Sequence, residues 1–152
     1  NEIVADVQIK SCKLKSLKVE KKFFVSCQDE FPLMFAIASL LPGISIFKGI
    51  EDLANKESNR IKEMQKILNQ IGIKSKFSKN ELKIFGKSSF ENKNKIIKVP
   101  NLKDHRICMS SAILALVTGI KTKINNFETV KTSSPNFLKI IKSLGANFEI
   151  KK

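Results

Sequence analysis

Two patterns of apolar and polar residues predict two helices in the first half of the chain. Residues 31–41, "FPLMFAIASLL", are apolar on nearly every side, which predicts a buried helix with Asp29 as its N-cap. Residues 57–72 instead carry apolar side chains at helical spacing with lysines opposite. That pattern predicts an amphipathic helix that starts at a Ser58 cap and ends near Gly72.

Short stretches rich in β-branched and aromatic residues surround these helices and predict strands. Proline, glycine and asparagine separate the stretches, as expected of turns. The predicted strands of the first half are residues 6–12, 23–27, 44–49, 73–77 and 82–86.

The second half of the chain repeats this order. A shift of 75 residues places Ile9 on Ile84 and Asp29 on Asp104. The predicted elements are a strand over 95–99, a buried helix over 104–119 capped by Asp104, a strand over 121–125, an amphipathic helix over 133–145 and a last strand over 146–152. Two copies of one β-α-β-α-β-β unit, about 5–80 and 81–152, are therefore predicted.

The repeated unit predicts a mixed α/β (α+β) fold. One helix of each unit is apolar on all sides and the other on one side only. A helix that is apolar all round must be buried, so the sheets should form the outside and the buried helices the inside.

Length and composition fit one folded domain with a real core. The chain has 152 residues, of which 42% are hydrophobic, more than a disordered segment would carry. No apolar run is long enough for a membrane span, and the first residues lack a signal-peptide pattern. Three cysteines without metal-ligand spacing predict reduced thiols in a cytoplasmic protein. The first residue is not Met, which suggests a piece of a longer chain.

The net charge of +14 leaves two kinds of anionic partner open, nucleic acid and small anionic substrates. The lysines are scattered among Asn and Ile, which also fits a biased base composition. A basic nucleic-acid-binding module would need exposed aromatic residues on a basic face, but the chain has no Tyr or Trp and its Phe residues fall at core-like positions. We therefore expect neither a nucleic-acid partner nor a membrane partner.

Only two of the 28 basic Lys and Arg residues are arginines, and both fall at predicted helix starts. A planar guanidinium binds carboxylate or phosphate through two hydrogen bonds, and a helix N-terminus also attracts anions. Arg60 lies beside Lys56 and Glu57, and Arg106 follows His105, the only histidine. This joint placement predicts an anion-binding site with acid-base groups beside it.

Each of these features also has a plain structural interpretation. Asp29 could serve only as a helix cap, and the charges around Glu57 could form a solvated ion-pair network. His105 and Arg106 could point to solvent, and Lys131, in "VKTSSP", could be an ordinary loop lysine.

Four segments resemble, in order and spacing, the C-terminal part of the 5-enolpyruvylshikimate-3-phosphate synthase family. They are "DEFPLMFAIASLLPG", "IEDLANKESNRI", "DHRICMS" and "VKTSSPNFLKIIKSLGA". The family pattern has D-E-(apolar)-P, then K-E-S-(D/N)-R, then D-H-R-(apolar)-A-M, then T-S-(aromatic)-P. The spacing of 27 residues from Asp29 to Lys56, and of 46 from Arg60 to Arg106, makes the resemblance specific.

The resemblance implies the enolpyruvyl transferase fold, an inside-out α/β barrel. Each of its two domains contains three β-α-β-α-β-β units with helices packed inside, and residues 1–152 would supply two of the three units of the C-terminal domain. The implied reaction moves the enolpyruvyl group of phosphoenolpyruvate onto the 5-hydroxyl of shikimate 3-phosphate and releases phosphate. The resemblance implies no metal and no cofactor.

The resemblance also implies a role for each candidate site residue. Asp29 would be the base near the shikimate hydroxyls, and Glu57 would handle the methylene proton of phosphoenolpyruvate. The implied substrate-binding residues are Lys56 for shikimate 3-phosphate, Arg60 and Arg106 for phosphoenolpyruvate, His105 as an orienting residue, and Lys131 after a one-residue shift of the alignment.

The rest of the family's active site lies in the other, N-terminal domain. We therefore expect little or no turnover from this chain alone, and a monomer for the full-length enzyme. A sister family that transfers the enolpyruvyl group to a UDP-sugar shares the fold and stays an alternative, although it lacks the combination of K-E-S-N-R with D-H-R.

Overall fold

A computed structural model describes residues 4–90 and 95–151 of the chain. Helices and strands alternate along it, as the sequence predicts. The helices are α1 (Phe24–Cys27), α2 (Phe31–Leu40), α3 (Arg60–Gln70), α4 (His105–Thr118) and α5 (Phe137–Ser143). The strands are β1 (Lys18–Val19), β2 (Gly43–Lys48), β3 (Lys74–Ser78), β4 (Glu81–Gly86), β5 (Ile96–Val99) and β6 (Lys121–Ile124).

The described strands form two sheets. The first has the order β1-β2-β4-β3, with β1 parallel to β2 and the other pairs antiparallel. Lys79 and Asn80 join β3 to β4, and both have positive φ angles, 50° and 61°, which is the geometry of a type I′ hairpin turn. In the second sheet β5 and β6 run parallel, with Ile96 opposite Lys121.

Helices α2, α3 and α4 pack against these sheets. Helices α2 and α4 pack against each other, and α2 also packs on β4, α3 on β3 and α4 on β6. Phe35 of α2 meets Phe47 of β2 with ring centroids 4.9 Å apart in an edge-on arrangement that suits aromatic pairs. None of the described helices is long and apolar enough to cross a membrane.

The four predicted helices and five of the predicted strands are present in the structure, although the last helix is shorter than the predicted span of 133–145. Asp104 caps α4 as predicted, because its side chain accepts the backbone N–H groups of Arg106 and Ile107. Gly72 follows α3 with φ +77° and Gly145 follows α5 with φ +92°, so both adopt the left-handed conformation that glycine allows.

Three predicted strands are wrong. Residues 6–12 lie outside any strand, and Ile9 is 89% exposed whereas its repeat partner Ile84 is fully buried in β4. Residues 23–27 are helical because local bonds close their turns, including Phe23 N–H to the Glu20 carbonyl at 3.0 Å. Residues 146–151 have no strand pairing in the described part of the chain, and Ile150 is exposed.

Two predicted helix caps are also wrong. Glu30, not Asp29, immediately precedes α2, and its side chain makes no capping bond, because both carboxylates turn toward arginines. Asn59, not Ser58, caps α3 by accepting the backbone N–H of Lys62 at 2.9 Å.

Candidate active site

The N-terminal ends of α2, α3 and α4 meet at one place, and most of the predicted site residues lie there. Asp29 lies two residues before α2, and Glu57 lies three residues before Arg60, the first residue of α3. Asp104 and Arg106 lie at the start of α4. The three helix starts thus bring together carboxylates and guanidinium groups that are far apart in the sequence.

Arg60 is the buried centre of this cluster. Only 1% of its side chain is exposed, and each of its three nitrogens meets a carboxylate. Nε donates to Asp104 at 3.1 Å, Nη1 to Asp29 at 2.9 Å and Nη2 to Glu57 at 2.6 Å. A lysine could not make this fork of contacts with one nitrogen, which explains an arginine in a lysine-rich chain.

Asp104 is the fully buried partner of Arg60. Its Oδ2 accepts hydrogen bonds from Arg60 Nε and from the Ser58 hydroxyl, the latter at 2.8 Å. Its Oδ1 accepts the backbone N–H groups of Arg106 at 3.0 Å and Ile107 at 3.3 Å. One carboxylate therefore ties the start of α3 to the start of α4, and its burial is compensated by four donors.

Arg106 lies on the more open side of the cluster. Its Nη1 donates to Glu30 at 3.0 Å, and its Nη2 lies 3.5 Å from Asp29. The Arg106 side chain is 26% exposed, and its buried Nε has no hydrogen-bond partner among the described residues. Arg106 is thus held by fewer short contacts than Arg60.

Lys56 completes the group of cations. Its Nζ donates to the Gln28 side-chain oxygen at 2.6 Å, and its charge acts on the neighbouring Asp29. The cluster therefore places three cationic side chains around the carboxylate of Asp29, those of Lys56, Arg60 and Arg106.

These contacts change the acidity of two groups in the cluster. The hydrogen bond from Arg60 lowers the pKa of Asp29 below its usual value, against a smaller opposing effect of burial, and the charges of Arg106, Arg60 and Lys56 add to the lowering. Burial alone would lower the pKa of Arg60, but its hydrogen bonds and charge pairing with Asp104, followed by Asp29 and Glu57, raise it above its usual value. Both groups stay ionised at neutral pH.

Cys108, one turn into α4, lies outside this ion network. Burial, followed by the charge of Asp104, raises the pKa of its thiol to about 11. The thiol therefore stays protonated at neutral pH and is a poor nucleophile.

Two predicted site residues make no hydrogen bond or ion pair with the cluster among the described residues. His105 is the first residue of α4 and is partly buried. Lys131 lies in a 3₁₀ turn, Phe127–Thr132, and is exposed. Their substrate-binding roles stay predictions, as do the roles of the residues inside the cluster.

Sequence reasoning missed the contacts of Glu30 and Ser58. Glu30 is the second acidic residue of "QDEFP", and its position beside Asp29 was the available signal. Ser58 looks like a helix cap, but its hydroxyl donates to Asp104, 46 residues away, and no local pattern could show that contact.

Comparison with known proteins identifies the family of the chain. The sequence pattern of EPSP synthase (3-phosphoshikimate 1-carboxyvinyltransferase) matches residues 3–141. The chain belongs to the EPSP synthase family. The predicted family resemblance is therefore confirmed.

Curated members of the family are similar along nearly the whole chain. The 3-phosphoshikimate 1-carboxyvinyltransferase of Zymomonas mobilis is 34% identical over 98% of this chain and 33% of its own length. That of Clostridium tetani is 36% identical over 93% of this chain and 32% of its own length. The chain thus spans about a third of the length of these EPSP synthase relatives.

A solved structure supports the predicted fold. EPSP synthase from Acinetobacter baumannii superposes with a TM-score of 0.81 at 29% identity, over 92% of this chain and 32% of that protein. The mixed α/β arrangement, with helices packed against the sheets, is therefore the enolpyruvyl transferase fold.

Proposed function

We propose that this chain is part of the C-terminal domain of a 3-phosphoshikimate 1-carboxyvinyltransferase, with repeat units of about 5–80 and 81–152. The enzyme would transfer the enolpyruvyl group of phosphoenolpyruvate to the 5-hydroxyl of shikimate 3-phosphate and release phosphate. The observation that carries the proposal is the convergence of Arg60, Arg106, Asp29 and Glu57 at three helix starts in a chain of this family.

The cationic side of the cluster suits the substrates. Phosphoenolpyruvate carries a phosphate and a carboxylate, and a guanidinium can bind either group through two hydrogen bonds. Arg106 and Arg60 would hold phosphoenolpyruvate, and Lys56 would face shikimate 3-phosphate. Fixed cations at these positions would also stabilise the charge that moves onto the departing phosphate. His105 and Lys131 would assist in orienting and binding the substrates.

The carboxylates supply the proton transfers. The hydroxyl of shikimate 3-phosphate must lose a proton as its oxygen bonds to C2 of phosphoenolpyruvate, and the methylene carbon must gain one. The methyl group so formed must then lose a proton as the C–O bond to phosphate breaks, which restores the double bond and releases phosphate. Asp29 would receive the first proton, since its lowered pKa keeps it ionised. The pairing with Arg60 keeps Asp29 ionised but also weakens it as a base. Glu57 would handle the methylene proton.

The remaining site residues would come from the other domain of the enzyme. The chain covers about a third of the length of its relatives. We expect the complete enzyme to be a cytoplasmic monomer with no metal or cofactor.

Phosphate release tests this function. A chimaera in which this chain replaces the matching third of the Zymomonas mobilis relative should release phosphate from phosphoenolpyruvate only when shikimate 3-phosphate is present. The same chimaera with Glu57→Gln should fold alike by circular dichroism and turn over at least about a hundredfold more slowly, the usual scale for a lost acid-base group. A folded chimaera without turnover, or one indifferent to Glu57→Gln, would contradict the proposal.

A further inference from the structure

The two arginines of the cluster differ in how firmly their partners hold them. Arg60 is 1% exposed, and each of its three nitrogens donates to a carboxylate. Arg106 is 26% exposed and makes one short hydrogen bond to a carboxylate, that of Glu30. Because Arg60 is already fully engaged, Arg106 is the guanidinium that can most easily accept an outside anion.

Glu30 already binds a terminal nitrogen of Arg106, Nη1, which an incoming anion would also use. Its Oε1 lies 3.0 Å from Arg106 Nη1, while the next carboxylate, Asp29, lies at 3.5 Å from Nη2. The Glu30 side chain is 52% exposed and makes no capping bond to α2. It can therefore leave Arg106 without losing another described contact.

We propose that Glu30 is an internal competitor that fills the Arg106 fork and sets the affinity of the site for its anionic substrate. The inference rests on the proposed function, in which Arg106 holds phosphoenolpyruvate. An incoming carboxylate or phosphate replaces Glu30 on Arg106, and the Glu30 side chain turns to solvent. A carboxylate or a phosphate can bind the fork through two oxygens, whereas Glu30 makes one short hydrogen bond, to Nη1.

Removal of the competitor should tighten binding. An exposed ion pair is a weak interaction, so the gain is modest, about threefold in the dissociation constant for Glu30→Gln. Glu30→Asp keeps the charge but shortens the side chain by one methylene, which takes the carboxylate out of reach of Arg106. It should tighten binding to a similar extent if occupation of the fork, rather than local charge, limits affinity.

The chain itself offers a direct reporter. It has only two arginines, so a ¹⁵N-labelled sample gives two side-chain Nε–Hε signals, which the Arg106→Lys variant assigns. Phosphoenolpyruvate titrated at constant ionic strength should shift the Arg106 signal, with a dissociation constant about threefold lower in Glu30→Gln and Glu30→Asp than in the unaltered chain. Glu20→Gln is the matched control, because Glu20 is a half-exposed carboxylate paired with Lys48 at 3.1 Å and its loss changes the net charge equally.

The outcomes separate the two proposals. Equal dissociation constants for the unaltered chain and Glu30→Gln would overturn the role of Glu30 while leaving Arg106 as the anion-binding residue. A gain for Glu30→Gln but not for Glu30→Asp, or an equal gain for Glu20→Gln, would also overturn it, since charge alone would then explain the effect. An Arg106 signal that phosphoenolpyruvate leaves unchanged in every variant would overturn both the anion site and the competitor.

Discussion

Arg60 is a buried cation whose three nitrogens satisfy three carboxylates, and this explains why a lysine-rich chain has an arginine there. The sequence predicts both arginines as anion-binding residues because their planar forks fit carboxylates. It could not predict which carboxylates they meet, because Asp29 and Asp104 lie 31 and 44 residues from Arg60. Only the packing of α2, α3 and α4 brings them together.

Arg60→Lys should be strongly destabilising. One ammonium group cannot reach three carboxylates, so the fully buried Asp104 loses a charged partner, a change that costs about 3 kcal/mol. Urea denaturation measures the free energy of unfolding. Lys48→Met, which breaks the exposed pair with Glu20, is the control and should cost under about 1 kcal/mol. Equal costs for both variants would contradict a central role for Arg60.

Asp29→Asn should make the free energy of unfolding depend less on pH in the acid range. The pKa of Asp29 is lower in the folded chain than its usual value of 3.8. Its ionised form thus contributes stability above that value, and the contribution is lost as the pH falls through the lower, folded-state pKa. Unfolding free energies measured across this acid range should fall less steeply for Asp29→Asn. A slope equal to that of the unaltered chain would show that Asp29 is not paired.

The cysteines should react in an order set by burial. Cys12 is exposed, whereas Cys108 is buried with its thiol pKa raised to about 11. Iodoacetamide near neutral pH should therefore label Cys12 in the folded chain and Cys108 only after unfolding in urea. Mass spectrometry of the labelled peptides gives both rates. Comparable labelling of the two thiols in the folded chain would contradict the packing of α4.

At the scale of elements, the long helices were predictable and the terminal strands were not. Helices α2, α3 and α4 follow from apolar runs and helical spacing, which are local properties of the sequence. Residues 6–12 have a strand-like composition but no described neighbour with which to pair, and a strand needs hydrogen bonds from a partner. Residues 23–27 are helical. Only Phe24 in that stretch is buried, so the alternate burial of side chains in a strand would give no advantage there.

Gly86 lies where β4 comes close to the backbone at the end of α2. It ends β4 beside the last turn of α2, and a Cβ atom there would clash with the backbone carbonyls of Ala38 and Leu41. Gly86→Ala should therefore cost about 2 kcal/mol or more, because backbone cannot move aside as a flexible side chain can. Urea denaturation is the measurement. Lys76→Ala, at an exposed position of the neighbouring β3, should change stability by less than about 0.5 kcal/mol. A neutral Gly86→Ala would contradict this packing.

At the scale of the whole molecule, the chain combines a mixed α/β fold with a cluster of cations and carboxylates at three helix starts. Its fold and its family agree with the prediction from the sequence, whereas the division into repeat units of about 5–80 and 81–152 stays a prediction. Resemblance assigned roles to individual residues, but the described geometry links only some of them. His105 is partly buried at the start of α4 and Lys131 is exposed in a 3₁₀ turn, and neither makes a hydrogen bond or ion pair with the cluster among the described residues.

The isolated chain should be folded but should have no enzymatic activity. It spans about a third of its EPSP synthase relatives, and catalysis needs groups on both sides of the substrates. Circular dichroism should show cooperative unfolding, while phosphate release with both substrates should stay at the background rate. Turnover by the isolated chain would contradict the proposal that the other domain supplies the remaining site residues.

The most direct test of the account is the KM for phosphoenolpyruvate in the Zymomonas mobilis chimaera with Arg106→Lys, at saturating shikimate 3-phosphate. Loss of the guanidinium fork removes a charge-assisted hydrogen bond, so the account predicts a KM at least about tenfold higher than that of the unaltered chimaera. A KM within about twofold of the unaltered value would mean that Arg106 does not hold the substrate, and that the convergence of arginines and carboxylates is structural only.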